Sequence, residues 1–221
     1  MTDDFIIHAD NLTKIYKTPS DEIKVFENIN LNVKKGSAVA IIGESGRGKT
    51  TLLNILSGLD RPSSGEVYFN NIRIDNLDED KLSDFRNKNV GFIFQHHYLL
   101  NDFNALENIL IPIRIGGTAI TDSIIDKALN FLTSVGLQDR LTHFPDQLSG
   151  GERQRISIIR ALIHDPFVIF ADEPTGSLDK RNSSNIETLL WDLKNKYNKT
   201  FIIATHNLDI AKKCDQIIDL G

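Results

Sequence analysis

Residues 37–50 read SAVAIIGESGRGKT. The first half is a run of small and apolar residues ending at a glycine, the pattern of a strand buried on both faces of a parallel sheet. Residues 43–50 fit G-x-x-x-x-G-K-[ST], and residues 49–57, KTTLLNILS, read as a helix closed by Gly58. Strand, glycine-rich turn and helix in that order make an anion cradle. Gly43, Gly46 and Gly48 let the backbone curl until several N–H groups face one phosphate, and the helix N-terminus adds its partial positive charge. Lys49 supplies a full charge for the β- and γ-phosphates of a nucleoside triphosphate, and the Thr50 hydroxyl can ligate Mg²⁺. The predicted phosphate-binding stretch is Gly43, Glu44, Ser45, Gly46, Arg47, Gly48, Lys49, Thr50 and Thr51.

Working outward, residues 5–9, 25–33 and 66–74 read as strands of an antiparallel layer. Further strands are expected at 90–95, 167–172, 201–205 and 216–220. Residues 99–164 are helix-rich. Within them Thr121 can cap a helix whose apolar face carries Ile125, Ala128, Leu129, Leu132 and Val135, with Gly136 at its stop. Ile186, Leu189, Leu190, Leu193 and Tyr197 form a second helical stripe. Both stripes read as core. The alternation predicts an α/β fold: a parallel-sheet core at about 1–96 and 165–221, an antiparallel side layer, and an inserted helical subdomain at about 97–164.

The run 167–173, FVIFADE, delivers two carboxylates at the end of an apolar strand, where α/β sheets bind ligands. Asp172 suits the Mg²⁺ shell through water, and Glu173 is placed to polarise an attacking water as a general base.

Composition bounds the remaining possibilities. The 221 residues carry 40% hydrophobic and 25% charged side chains, a globular balance. A net charge of -5 disfavours general nucleic-acid binding. The lone Cys214 allows no intrachain disulfide and suits a reducing compartment. The N-terminal residues are acidic and lack an apolar signal segment, and no run reaches the ~20 apolar residues of a membrane span. Work at a membrane therefore requires another chain to do the spanning. No tandem repeat or heptad run is present.

Residues 148–154 read LSGGERQ, and residues 170–175 read FADEPT. With the cradle motif, in this order, they make the chain resemble the ABC ATPase family over essentially its whole length. Ser149, Gly150 and Gly151 precede a helical run at 152–164 and offer a hydroxyl, backbone N–H groups and a helix N-terminus. The resemblance implies a P-loop NTPase (RecA-like) fold. It also implies that this clasp covers the γ-phosphate of ATP held by the opposite subunit of a homodimer. It further assigns Tyr16 to stacking on adenine, Gln95 to sensing Mg²⁺ and the attacking water, Asp179 of 177–179 to the dimer-crossing loop, and His206 to the γ-phosphate. The family loop is commonly G-x-S-G-S-G-K-S; here Thr50 keeps the hydroxyl, and Arg47 is a departure read as a minor tuning residue. His8, His143 and His164 match nothing in the family pattern and read as structural or surface residues.

The stretch 95–109, QHHYLLNDFNALENI, with Gly58-Leu59-Asp60 and ERQR at 152–155, resembles the ATPase subunits of the bacterial lipoprotein-releasing type (LolD type). That resemblance implies contact with LolC- and LolE-like membrane subunits through residues 94–107, at the cytoplasmic face of the inner membrane. The macrolide-export type and the non-transporting cell-division (FtsE) type share most of the pattern and remain alternatives. Long coiled-coil arms of DNA-repair heads are missing from the sequence, and a single cradle motif excludes a tandem-cassette translation factor.

Overall fold

The structure, a computed structural model, describes residues 4–18 and 21–221. In chain order its elements are β1 (Phe5–Lys17), β2 (Glu22–Lys34), β3 (Ala38–Ile42), α1 (Lys49–Ser57), β4 (Ser64–Phe69), β5 (Ile72–Arg73) and α2 (Glu79–Asn89). There follow β6 (Val90–Ile93), α3 (Ala105–Ile115), α4 (Asp122–Ser134), α5 (Gly150–Leu162), β7 (Val168–Asp172) and α6 (Lys180–Tyr197). The chain closes with β8 (Thr200–Ala204), α7 (Leu208–Lys212) and β9 (Gln216–Asp219). These elements fall into two compact units, one of residues 1–86 and 199–221 and one of residues 87–198. The predicted helical stretch 97–164 lies inside the second unit, which also contains β6, β7 and α6.

The first unit holds an antiparallel sheet in the order β2-β1-β4-β5 and a parallel group in which β3 pairs with β8 on one side and β9 on the other. Ala38, Val39, Ala40 and Ile41 have no exposed surface, as expected for a strand covered on both faces. Each such Val or Ile side chain contributes about 1.5–3 kcal/mol by leaving water. α1 starts and stops where the sequence predicts, with Gly58 at its end in the left-handed conformation. The strand expected at 66–74 is instead a hairpin, β4 and β5 pairing Tyr68 with Arg73 and Phe69 with Ile72. Asn70 and Asn71 both have positive φ (48° and 64°), which an Asn-Asn pair tolerates in a tight two-residue turn.

In the second unit β6 and β7 pair in parallel. Helix α5 packs on β6 so tightly that a Cβ on Gly91 would lie 2.3 Å from the Ala161 carbonyl oxygen. Only glycine permits this approach of strand to helix backbone. α4 follows Thr121 as expected, but the Thr121 side chain makes no capping hydrogen bond. Its buried face carries Ala128, Phe131 and Leu132 against α3 and α5, with the Phe131 ring also meeting Tyr197 of α6, while Leu129 is exposed. α5 begins at Gly150 rather than at 152, so Gly150 and Gly151 are the first helical residues and Ser149 is the cap.

Candidate nucleotide site

The first unit carries the cradle. Gly43 leaves β3, the chain turns through residues 44–48, and Lys49 opens α1. Gly48 sits at φ 91°, and a Cβ there would come 2.4 Å from Val25 Cγ1 of β2, so a side chain is excluded both by backbone strain and by space. Lys49 folds back over the loop, its Nζ donating to the carbonyls of Gly43 (2.9 Å) and Glu44 (3.0 Å). The ammonium thus lies within the curl of the loop backbone. Thr50 and Thr51 follow in the first turn of α1. Arg47 is exposed, and its guanidinium faces Glu44 at 3.7 Å rather than the loop interior.

The β2 contact at Gly48 also locates Tyr16. Tyr16 pairs with Ile23, two residues along β2 from Val25. That puts Tyr16 on the strand next to the one whose Val25 abuts Gly48. Tyr16 is 43% exposed, yet it is fixed from behind. Its hydroxyl donates to Asp60 Oδ2 (2.9 Å), and Lys14 Nζ donates to Asp60 Oδ1 (2.8 Å) while standing 4.7 Å from the Tyr16 ring centroid. Burial pushes the Asp60 carboxyl up. Hydrogen bonds from Lys14, the Arg61 backbone and Tyr16 outweigh it and hold the group below its ordinary range. Lys14 is nearly buried, and it completes its shell on the Arg61 carbonyl at 2.7 Å. Sequence reading missed Lys14 and the anchoring part of Asp60. The available signal was a lysine placed among the inward-facing residues of an apolar strand.

His206 is exposed just beyond β8. The Thr205 N–H donates to the Ile41 carbonyl (3.0 Å), so the chain passes His206 beside the end of β3 where the cradle begins. The first unit therefore brings the cradle and His206 to the carboxyl ends of its parallel strands, with Tyr16 beside the loop on β1.

The second unit gathers the acidic residues, Gln95 and the signature. β7 ends at Asp172, and Glu173 follows in the left-handed conformation at φ 44°. For a non-glycine residue that conformation costs roughly 1–2 kcal/mol, so the surroundings must hold it. Gln95 lies against the same turn. A Cβ on Gly176 would sit 3.1 Å from Gln95 Nε2 and 3.3 Å from Glu173 Cβ, so the amide and the glutamate converge on one glycine. Ser177 Oγ donates to the Gln95 carbonyl (3.0 Å), tying the two loops together. Asp179 caps α6, accepting from the Asn182 N–H (3.0 Å).

Ser149 caps α5 in a reciprocal box with Glu152. The Ser149 N–H and hydroxyl donate to Glu152 Oε2 (2.8 and 2.7 Å), and Arg140 Nε donates to Oε1 (3.0 Å). Burial raises the Glu152 carboxyl, but these donors outweigh it and bring its pKa down to about 2. The N–H groups of Gly150 and Gly151 open the helix and offer an anion its first turn. Arg160, missed by sequence reading, donates to the carbonyls of His97 and Tyr98 (2.7 Å each) and fixes the segment after Gln95. That segment forms one wall of a cleft of about 570 Å³, lined by Tyr98, Leu99, Phe144, Asp146 and Arg153 among others.

Among the described residues no cluster of His, Cys, Asp or Glu could by itself cage a metal ion, and no helix is long and apolar enough to cross a membrane. The donors proposed for Mg²⁺ are a hydroxyl, a carboxylate and an amide oxygen, all hard ligands that suit that cation alongside nucleotide oxygens and water.

The family model for the ABC transporter matches residues 26–176. A lipoprotein-releasing system ATP-binding protein, LolD, of Koribacter versatilis is 45% identical over 210 residues, covering 95% of this chain and 94% of that protein. The LolD of Bdellovibrio bacteriovorus is 44% identical over 211 residues, covering 96% of each. Among solved structures, the post-hydrolysis dimer of the ATP-binding cassette MJ0796 bound to ADP and Pi superposes with a TM-score of 0.88 at 39% identity, covering 97% of this chain and 94% of that one. Cradle, acidic strand end, signature helix and these likenesses together establish that the chain belongs to the ABC transporter family, as one of its ATP-hydrolysing cassettes.

Proposed function

We propose that this cassette powers a lipoprotein-releasing exporter, working as a homodimer at the cytoplasmic face of the inner membrane beneath LolC- and LolE-like membrane subunits. The observation that carries this reading is the likeness to LolD proteins along nearly the full length of both chains. The dimer reading is supported by the dimeric form of the MJ0796 cassette. The cleft beside His97 and Tyr98 offers the membrane subunits a place to dock, its lining mixing Leu99, Phe144 and Pro145 with Asp146 and Arg153.

In the proposed reaction the cradle backbone and Lys49 hold the β- and γ-phosphates of ATP, and Tyr16 stacks on the base. Ser149, Gly150 and Gly151 of the second copy close over the γ-phosphate, and Asp179 lines the seam between copies. Closure excludes bulk water and completes the constellation. Glu173 accepts a proton from the attacking water, Gln95 orients that water, and His206 donates to the γ-phosphate oxygen as charge develops. Thr50, Gln95 and Asp172 would hold Mg²⁺, which when bound neutralises phosphate charge. Phosphate release removes the anion that joins the two copies, and the dimer opens.

Glu173→Gln is expected to keep ATP binding, trap an ATP-bound dimer detectable by size-exclusion chromatography, and lose hydrolysis. Purification of the full chain from membranes tests the transport reading. Recovery of two multi-span subunits with a large periplasmic region supports it; recovery of a single four-span protein moves the assignment to the cell-division type.

A further inference from the structure

Gln154 is the fifth residue of α5 and is 1% exposed. Buried amides are retained where their hydrogen bonds hold something in place. The Gln154 Nε2 donates to the Pro174 carbonyl at 2.7 Å and reaches the Phe94 carbonyl at 3.4 Å. Those two carbonyls have telling neighbours. Pro174 directly follows Glu173, and Phe94 directly precedes Gln95. One side-chain amide thus bridges the backbones of the two segments that carry the water-polarising carboxylate and the water-orienting amide.

The bridge falls where the backbone most needs support. Glu173 holds its left-handed φ of 44° although it is not a glycine, and a Glu173–Gly176 turn (Gly176 N–H to Glu173 carbonyl, 3.0 Å) secures it on its C-terminal side. Pro174 has no N–H to contribute, so its carbonyl is the only backbone hydrogen-bonding group that residue offers. The Gln154 amide takes it. On the other side of the amide, Oε1 is buried and faces the His97 ring, which lines the docking cleft.

We propose that Gln154 is a positioning residue for hydrolysis. Its buried amide clamps the Phe94–Gln95 and Glu173–Pro174 segments in register, so that the Glu173 carboxylate and the Gln95 amide address the same water. The inference rests on the assignment of Glu173 and Gln95 given above. Gln154 is buried with its amide turned to protein carbonyls, so its loss is expected to act on the chemical step and to leave nucleotide affinity alone. A general base displaced by about 1 Å loses on the order of a hundredfold in rate, and partial displacement loses less.

The test is steady-state ATP hydrolysis by the full chain, comparing wild type, Gln154→Met, Gln154→Glu and Glu173→Gln. Met matches the length of Gln without its donor; Glu replaces the donor with an oxygen facing two carbonyls. The expected result for Gln154→Met is a kcat 10- to 100-fold lower with KM for ATP within twofold of wild type. Gln154→Glu is expected to fall further. If it does not fold, the Met variant decides alone. A Gln154→Met kcat within threefold of wild type overturns the clamp, provided Glu173→Gln is inactive. A parallel rise in KM also overturns it, because that signature belongs to a disturbed α5 and its phosphate clasp. If Glu173→Gln itself turns over normally, the assignment of Glu173 fails, which is a separate result.

Discussion

Asn108 offers a sharp stability test of the loop that precedes α3. Its side chain has no exposed surface. Its Nδ2 donates to the carbonyls of Leu100 (3.1 Å), Phe103 (2.8 Å) and Asn104 (3.0 Å), and its Oδ1 accepts from the Leu100 N–H (2.8 Å). Asn108→Ala removes all four contacts at once. The two N–H groups are shared among three carbonyls, so with the accepted bond the side chain makes the equivalent of three; at about 1 kcal/mol net per hydrogen bond the sum is about 3 kcal/mol, and rehydration of carbonyls as the loop opens sets a floor of about 2 kcal/mol. For a chain of this size each kcal/mol lowers Tm by about 2–4 °C, so the larger figure corresponds to a drop of about 6–12 °C. Urea denaturation followed by circular dichroism gives the free energy; a thermal melt gives the shift. Because Leu99 and Asn101 line the docking cleft, the variant should also recover less membrane subunit on copurification. ATP binding to the cradle, built from other residues, should persist. A destabilisation under 1 kcal/mol would refute the account of Asn108 as the loop's organiser.

Two further predictions concern the nucleotide and the signature. Asp60→Asn keeps the shape behind Tyr16 but leaves the nearly buried Lys14 without its counter-charge. KM for ATP should rise about five- to tenfold with kcat retained, equivalent to about 1–1.4 kcal/mol of platform stability; an unchanged KM would separate the base platform from Asp60. The Glu152 carboxyl, drawn down to about 2 by Ser149 and Arg140 against the opposing effect of burial, binds its proton more weakly folded than unfolded. Its contribution to stability is therefore fully present above the unfolded pKa and is lost as pH falls from about 5 toward about 2. Urea midpoints at pH 6 and pH 3 should differ less for Glu152→Gln than for wild type; an equal difference in both would show that the signature cap does not carry the acid sensitivity.

The parts of the fold legible in the sequence are those with one dominant local cause. The unit of strand, glycine-rich turn and helix was legible because a buried strand, glycines and Lys49 follow in that order. α1 had its stop written as Gly58. The hairpin at 64–73 was hidden because apolar residues continue across the Asn70-Asn71 turn, and the two asparagines were read as strand rather than as turn chemistry. The face of α4 was misjudged at Leu129 and Phe131, since the buried face is set by packing against α3 and α5, which local spacing does not encode. Among site residues, motif order pointed to Lys49, Glu173 and Ser149 without any coordinates. The groups packed behind them, Lys14 and Asp60 at Tyr16, Gln154 beside Pro174 and Arg160 on the His97 segment, act through contacts between residues 44 to 63 positions apart, or 20 apart across the rest of α5 and β7. No local pattern encodes such contacts.

The missing side chain at Gly91 has a mechanical outcome. With no room between that strand and the Ala161 carbonyl, β6 and α5 cannot slide or roll past each other without a backbone collision. The strand of this pair runs on to Gln95, and the helix begins beside that exit, just after Ser149, where Gln154 reaches the Phe94 carbonyl. A push delivered at the cleft would therefore be carried as a single displacement, moving Gln95 and Ser149 in step.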